Sequence, residues 1–153
     1  MKIAKAVLFT AVMAMGISSF AQGDYAEPAV GSRPVINCTF TEPFFDITIK
    51  GNQVYRGDSS QIFAKGDIVT YKDPVTSEDG VYVKNTTVLD VSVSYRYITV
   101  KFDLGAPLGA RILHIDRATQ GSDGMSDEVY PMEGTSFSLE SMQRTEVSGC
   151  KFH

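Results

Sequence analysis

Tryptophan is absent from this chain of 153 residues, and histidine and cysteine occur only twice each. There is no HExxH pair, no Gly-x-Ser-x-Gly elbow and no paired-cysteine zinc spacing, which removes the sequence-visible designs for metal-assisted hydrolysis and serine nucleophilic attack. Positive charge is also scarce, with 14 Lys and Arg against 18 Asp and Glu, a formal charge of −4. A nucleic-acid partner is not expected from that balance. Long helical periodicity is missing, and so are internal repeats and low-complexity tracts. Only one long apolar run exists, Ala6 to Ile17, and it is shorter than the roughly 20 residues that span a bilayer.

That run lies in a three-part leader. Lys2 and Lys5 precede it, and Ser19-Phe20-Ala21 supplies a small-residue site after it, the layout of a secretory signal peptide covering residues 1–21. Export is the expectation, to the periplasm or beyond, with no transmembrane anchor left in the mature chain. Loss of the two lysines takes the formal charge from −4 to −6. Residues 22–33 are rich in Gly, Ala, Pro and Glu and read as a flexible leader. Residues 34–153 read as a single β-rich domain, a size that suits one core.

Cys38 and Cys150 bracket almost all of that domain. Two cysteines in an exported chain point to a disulfide between them, joining the first strand to the last. Neither has an activating base or a positive cluster beside it beyond Lys151 and His153, so a catalytic thiol is the weaker reading.

The strands declare themselves by alternation. Val35 to Phe40 is one, interrupted by Thr41-Glu42-Pro43, because proline cannot donate to a central ladder. Phe45-Asp46-Ile47-Thr48-Ile49-Lys50 alternates strictly and marks a half-buried strand. Gly51-Asn52 reads as a tight turn returning through Gln53 to Arg56. Ile62 to Ala64, Ile68 to Lys72 and Val81 to Lys84 follow as short strands, with turns at Lys72-Asp73-Pro74 and Ser77-Glu78-Asp79-Gly80. Between Leu89 and Phe102 the apolar residues sit first at odd positions (Leu89, Val91, Val93, Tyr95, Tyr97) and then at even ones (Ile98, Val100, Phe102). One straight strand cannot bury both sets, so a turn or bulge is required near Tyr95 to Ile98. Arg111 to Ile115, Thr135 to Leu139 and Glu146 to Phe152 complete the series. The expectation is an all-β fold, a small antiparallel β-barrel or sandwich of about eight strands.

His114 in an apolar strand reads as structural, and His153 is terminal. The segment Asp123-Gly124-Met125-Ser126-Asp127-Glu128 offers oxygen ligands but lacks the spacing of an EF-hand, so a solvated turn is expected and no metal. No cofactor is indicated.

Three signatures in order are Cys38 followed by Glu42-Pro43-Phe44-Phe45, the Asp123-Gly124-Met125-Ser126-Asp127 loop leading to Tyr130-Pro131, and Gly149-Cys150. Together they resemble a largely uncharacterised family of bacterial envelope proteins with Glu-Pro-Phe-Trp-like, Asp-x-Met-Ser and terminal Gly-Cys motifs. Members sometimes stand beside META-type or lysozyme-inhibitor-type domains. Two departures are visible: Phe45 stands where the family has Trp, and Gly121 where the loop has a cysteine. The resemblance implies export and a small β-rich domain, without an established reaction.

The functional expectation is a non-enzymatic binding or interaction module for an envelope protein or cell-wall ligand. Its candidate recognition surface is Glu42, Phe44, Phe45, Asp123, Met125, Ser126, Asp127 and Tyr130. The alternatives are an inhibitor of a cell-wall-directed enzyme such as lysozyme, and a hydrolase pairing Glu42 with Asp123 or Asp127 as acid and base. Against the inhibitor, Ser77-Glu78-Asp79-Gly80-Val81-Tyr82 does not reproduce the Ser-Gly-x-x-Tyr signature of membrane-associated lysozyme inhibitors.

Overall fold

The computed structural model describes residues 25–41, 44–77, 80–118 and 132–153. Eight antiparallel strands follow one another in space as in sequence and close on themselves: β1 (Val35–Thr41), β2 (Phe44–Lys50), β3 (Ile68–Ser77), β4 (Gly80–Val93), β5 (Tyr97–Asp103), β6 (Ala110–Asp116), β7 (Met132–Ser138) and β8 (Arg144–Phe152). The fold is therefore a closed barrel, not a sandwich. Closure removes the two open edges that an eight-stranded sheet would expose.

Alternation decides what lies inside. Ile36, Cys38 and Phe40 of β1, Phe45, Ile47 and Ile49 of β2, and Ile98, Val100 and Phe102 of β5 are all fully buried. The residues between them, such as Asp46, Thr48 and Lys50, take the outer face. Apolar inside and polar outside is the reverse of the order in a membrane barrel. On β6 the same rule puts Leu113 and Ile115 inside and His114 outside, where its Nδ1 lies 2.8 Å from Thr99 Oγ1 and its ring stacks on Tyr97 at 4.9 Å. His114 is a cross-strand pairing residue, in line with the structural reading.

The parity conflict between Leu89 and Phe102 is resolved twice over. A turn at residues 94–96 joins β4 to β5, closed by Ser94 N donating to Tyr97 O at 2.8 Å. A register shift between Val88 and Asp90 then moves the inward positions from Val88 to Val91 and Val93 and leaves Leu89 outside. An extra residue in one strand of a pair has this effect on every side chain beyond it.

Three sequence expectations are corrected. Residues 53–56 are no hairpin arm and 62–64 no strand, because β2 pairs directly with β3. The intervening 51–67 segment is a loop containing a short 3-10 turn at Ser59–Gln61, and its consecutive apolar residues Ile62 and Phe63 are both buried. Asp67 organises it, accepting from Asn52 N at 2.9 Å and from Ala64 N at 2.8 Å. Second, Lys72-Asp73-Pro74 does not turn but continues β3. The last β2 partner is Asp46, opposite Lys72, so beyond it Pro74 has no β2 ladder to interrupt.

Third, the leader from Tyr25 onward is not free. Ala26 N donates to Arg117 O at 2.9 Å, Gly31 N to Tyr55 O and Tyr55 N to Ser32 O, both at 2.8 Å. These bonds lay the segment across one end of the barrel. All are backbone bonds, which composition cannot reveal. Residues 22–24, like the expected signal segment 1–21, lie outside the described residues.

Cys38 and Cys150 form a disulfide with sulfurs 2.06 Å apart. They are direct partners in the β1 to β8 ladder, so the bridge fastens the barrel where its first and last strands meet. Such a bond indicates an oxidising compartment.

Candidate functional site

In a barrel whose strands run up and down, consecutive connections leave from alternate ends. The first end carries the connections after β1, β3, β5 and β7. The second carries those after β2, β4 and β6, with the leader and the last residue. Glu42 and Pro43 lie in the β1 to β2 connection, while Asp123, Met125, Ser126, Asp127 and Tyr130 lie between β6 and β7. All seven are outside the described residues. Their anchors are not: Thr41 and Phe44 stand at the first end, Asp116 and Met132 at the second. The strands do not bring together the anchors of the two motifs.

Phe44 and Phe45, adjacent in sequence, part company. Phe44 is 44% exposed, as a recognition surface requires, whereas Phe45 is 1% exposed. Its ring stacks on Phe40 at 4.1 Å and meets Tyr71 at 5.3 Å. Phe45 is a core residue and leaves the candidate surface, because β2 alternation turns it inward with Ile47 and Ile49.

Sequence reasoning missed Arg111. It has the same parity on β6 as Leu113 and Ile115 and points inward at the first end. Its guanidinium carbon sits 5.3 Å from the Phe45 ring centre and 5.6 Å from that of Tyr71, within cation–π range. Among the described residues its polar contact is one long hydrogen bond, Nη1 to Ser136 Oγ at 3.4 Å, and Nε is buried without an acceptor. Arg111 makes no ion pair among the described residues; Arg96 with Asp116 and Arg117 with Glu27 do. Burial pushes its pKa down. Beside it the Tyr71 hydroxyl donates to Asp73 Oδ2 at 3.4 Å, and its pKa is pushed up to about 12, first by burial and then by the Asp73 charge. The signal was present in the alternation: a cation in phase with Leu113 and Ile115.

The second end holds the opposite case. Arg117 is as buried as any core residue, yet every part of its guanidinium is used. Nε donates to Ala26 O at 3.1 Å, Nη1 to Tyr95 O at 3.1 Å and Nη2 to Glu27 Oε1 at 3.2 Å. It ties the leader to the β4 to β5 turn and so is structural. The Tyr55 hydroxyl is buried near this group and meets no acceptor at full hydrogen-bond geometry among the described residues, and burial, followed by the charge of nearby Glu27 and a looser contact with it, raises its pKa.

An open-sided cleft of about 390 Å³ lies against the 51–67 loop, lined by Gln61, Phe63, Lys65 and Val91 among others. Of its polar lining, Asp67 already accepts from Asn52 N and Ala64 N, and Ser60 donates to Asp58. Among the described residues, no three His, Cys, Asp or Glu side chains converge as a metal site would require.

Comparison with family models, with curated proteins and with solved structures found no match. The residues alone carry the functional argument.

Proposed function

We propose that this chain is an exported, non-enzymatic binding module of the bacterial envelope, released by cleavage after Ala21 and oxidised in the periplasm or outside the cell. Its binding site is the first end of the barrel around Arg111, with the exposed Phe44 ring on the rim. The ligand is an anionic group, a carboxylate on a cell-wall fragment or on an envelope protein.

One observation carries this reading: a guanidinium is held inside an apolar barrel between two aromatic rings with one long hydrogen bond and no ion pair among the described residues. A partly buried charge with no ion partner among the described residues carries a desolvation cost, so a sequence selected for stability alone would not keep it. Arginine presents its donors as a planar fork matched to carboxylates. The leader, the disulfide and the three envelope-family motifs support the location.

The test is calorimetric titration of the oxidised protein with soluble peptidoglycan fragments bearing free carboxylates. Binding is expected, weakening at least about tenfold in Arg111→Gln, since loss of a charged hydrogen-bonding partner costs about 2 kcal/mol or more. No heat with the native protein, or equal affinity in the variant, rejects the site. Lysozyme in the same titration separates the enzyme-inhibitor alternative.

A further inference from the structure

The barrel is closed, yet β4 is twice as long as most of its neighbours and outruns β5. Its pairing with β5 begins only at Val88, opposite Phe102, while its pairing with β3 reaches back to Gly80. Residues 80–85 are all exposed, and Val81 and Val83 remain 49% and 51% exposed. Val88 spends both backbone groups on the β3 side, its N–H donating to Asp67 O and its C=O accepting from Gly66 N. Alternation then sends the N–H and C=O groups of Val81, Val83 and Asn85 the other way. No described residue pairs with them there. A β-branched strand with free ladder groups is a template for another strand.

We propose that this edge is a dimer interface, in which two copies of the chain pair antiparallel through Val81–Asn85 about a two-fold axis at Val83. This goes beyond the ligand site at Arg111 and does not rest on it. The register follows from the residues. Centring on Val83 places Val83 opposite Val83 and Val81 opposite Asn85, three pairs whose outward groups exchange about six hydrogen bonds. On the other face, shared with Tyr71, it sets Lys84 opposite Tyr82 of the second copy, a cation against an aromatic ring. Centring on Lys84 would oppose two ammonium groups, which is destabilising. Centring on Tyr82 would match Asn85 with a position before Gly80, where the strand begins. Only the Val83 register is both complete and free of like-charge opposition.

Sedimentation equilibrium of the oxidised protein from micromolar to submillimolar concentration, with amide exchange at both extremes, tests the interface. A concentration-dependent dimer is expected, with the Val81, Val83 and Asn85 amides protected only at the high end. Val83→Pro removes an N–H that the monomer does not use, so the dimer is lost while the far-UV spectrum stays native. Should proline disturb the arm, Val83→Lys keeps the strand and opposes two ammonium groups, weakening association at least about tenfold. A monomer at every concentration, or a dimer indifferent to Val83→Lys, overturns the proposal.

Discussion

Cys38 and Cys150 face each other across the one ladder that joins the ends of the chain, with α-carbons 4.0 Å apart. Each ladder pair of this kind can open without the bond, but the strands cannot then separate while it is intact. A cross-link spanning 112 positions restricts the unfolded chain by about 4.7 kcal/mol in the chain-entropy account. Cys38→Ala with Cys150→Ala is therefore expected to lower unfolding free energy by about 4 to 5 kcal/mol, a substantial fraction of a typical domain's stability. Denaturant unfolding of the native and double-variant proteins, with free thiols counted, measures it. A loss under about 1 kcal/mol would show that the β1 to β8 ladder alone closes the barrel.

Phe45 and Phe44 separate burial from exposure at adjacent positions of β2. Removing the Phe45 ring empties the space between Phe40 and Tyr71, and Phe45→Ala is expected to cost about 3 to 5 kcal/mol. Phe44→Ala is expected to change stability by less than about 0.5 kcal/mol. Equal losses in the two variants would return Phe44 to the core and remove it from the rim of the binding site.

Much of this architecture is visible in the chain because burial in a barrel has period two. β2, β5 and β6 can be read residue by residue, and the switch from odd to even apolar positions after Tyr97 demanded the turn that residues 94–96 supply. What alternation cannot express stayed hidden. The leader is held by backbone bonds to Arg117 and Tyr55, which need no particular side chains, and by the Arg117 guanidinium, whose partners Ala26 and Glu27 lie 91 and 90 positions away in sequence. Asp73-Pro74 has turn chemistry but lies where β2 has run out, so the strand continues, with the β3 to β4 ladder shifting register between Asp73 and Ser77. Which end of the barrel a loop occupies depends on the parity of the connection, and a count of strands correct to one would exchange the ends. The strand anchors of the two candidate motifs, Thr41 and Phe44 against Asp116 and Met132, fall on opposite sides of that count. Arg111 could have been found, since it keeps phase with Leu113 and Ile115, but that it has no ion pair among the described residues is visible only in three dimensions.

Arg111 and Arg117 make opposite predictions under the same substitution. Arg117 completes three hydrogen bonds, one of them also an ion pair with Glu27, so Arg117→Met takes a donor away from the Ala26 and Tyr95 carbonyls and should destabilise by about 3 kcal/mol or more. Arg111 meets two ring faces and one hydroxyl, and methionine can keep the aromatic contacts while removing the charge. Arg111→Met is expected to stabilise by about 1 to 3 kcal/mol, with binding lost. Chemical denaturation of both variants measures the contrast. A destabilised Arg111→Met would make that arginine a packing residue and withdraw the argument for its function.

Acid stability supplies the last test, at the second end. Arg96 grips Asp116 bidentately, Nη2 to Oδ2 at 2.7 Å and Nε to Oδ1 at 3.0 Å, and Ala118 N adds a third bond to Oδ1 at 3.0 Å. The Arg96 hydrogen bonds, with help from that amide, hold the Asp116 pKa below its ordinary value of 3.8. In the range between the folded value and 3.8 the unfolded chain binds a proton that the native state refuses, so stability falls as pH drops. The contribution of the pair is fully present above 3.8 and gone once the pH has passed below the folded value. Half of the Arg96 side chain is in water, and solvent screening keeps the effect small. Arg96→Gln should therefore lower stability slightly at neutral pH and flatten its decline as the pH falls below 3.8. Unfolding curves across that range give the comparison. Parallel declines for the native protein and the variant would mean that Asp116 keeps its low pKa through the Ala118 amide and the surrounding backbone, with Arg96 contributing nothing.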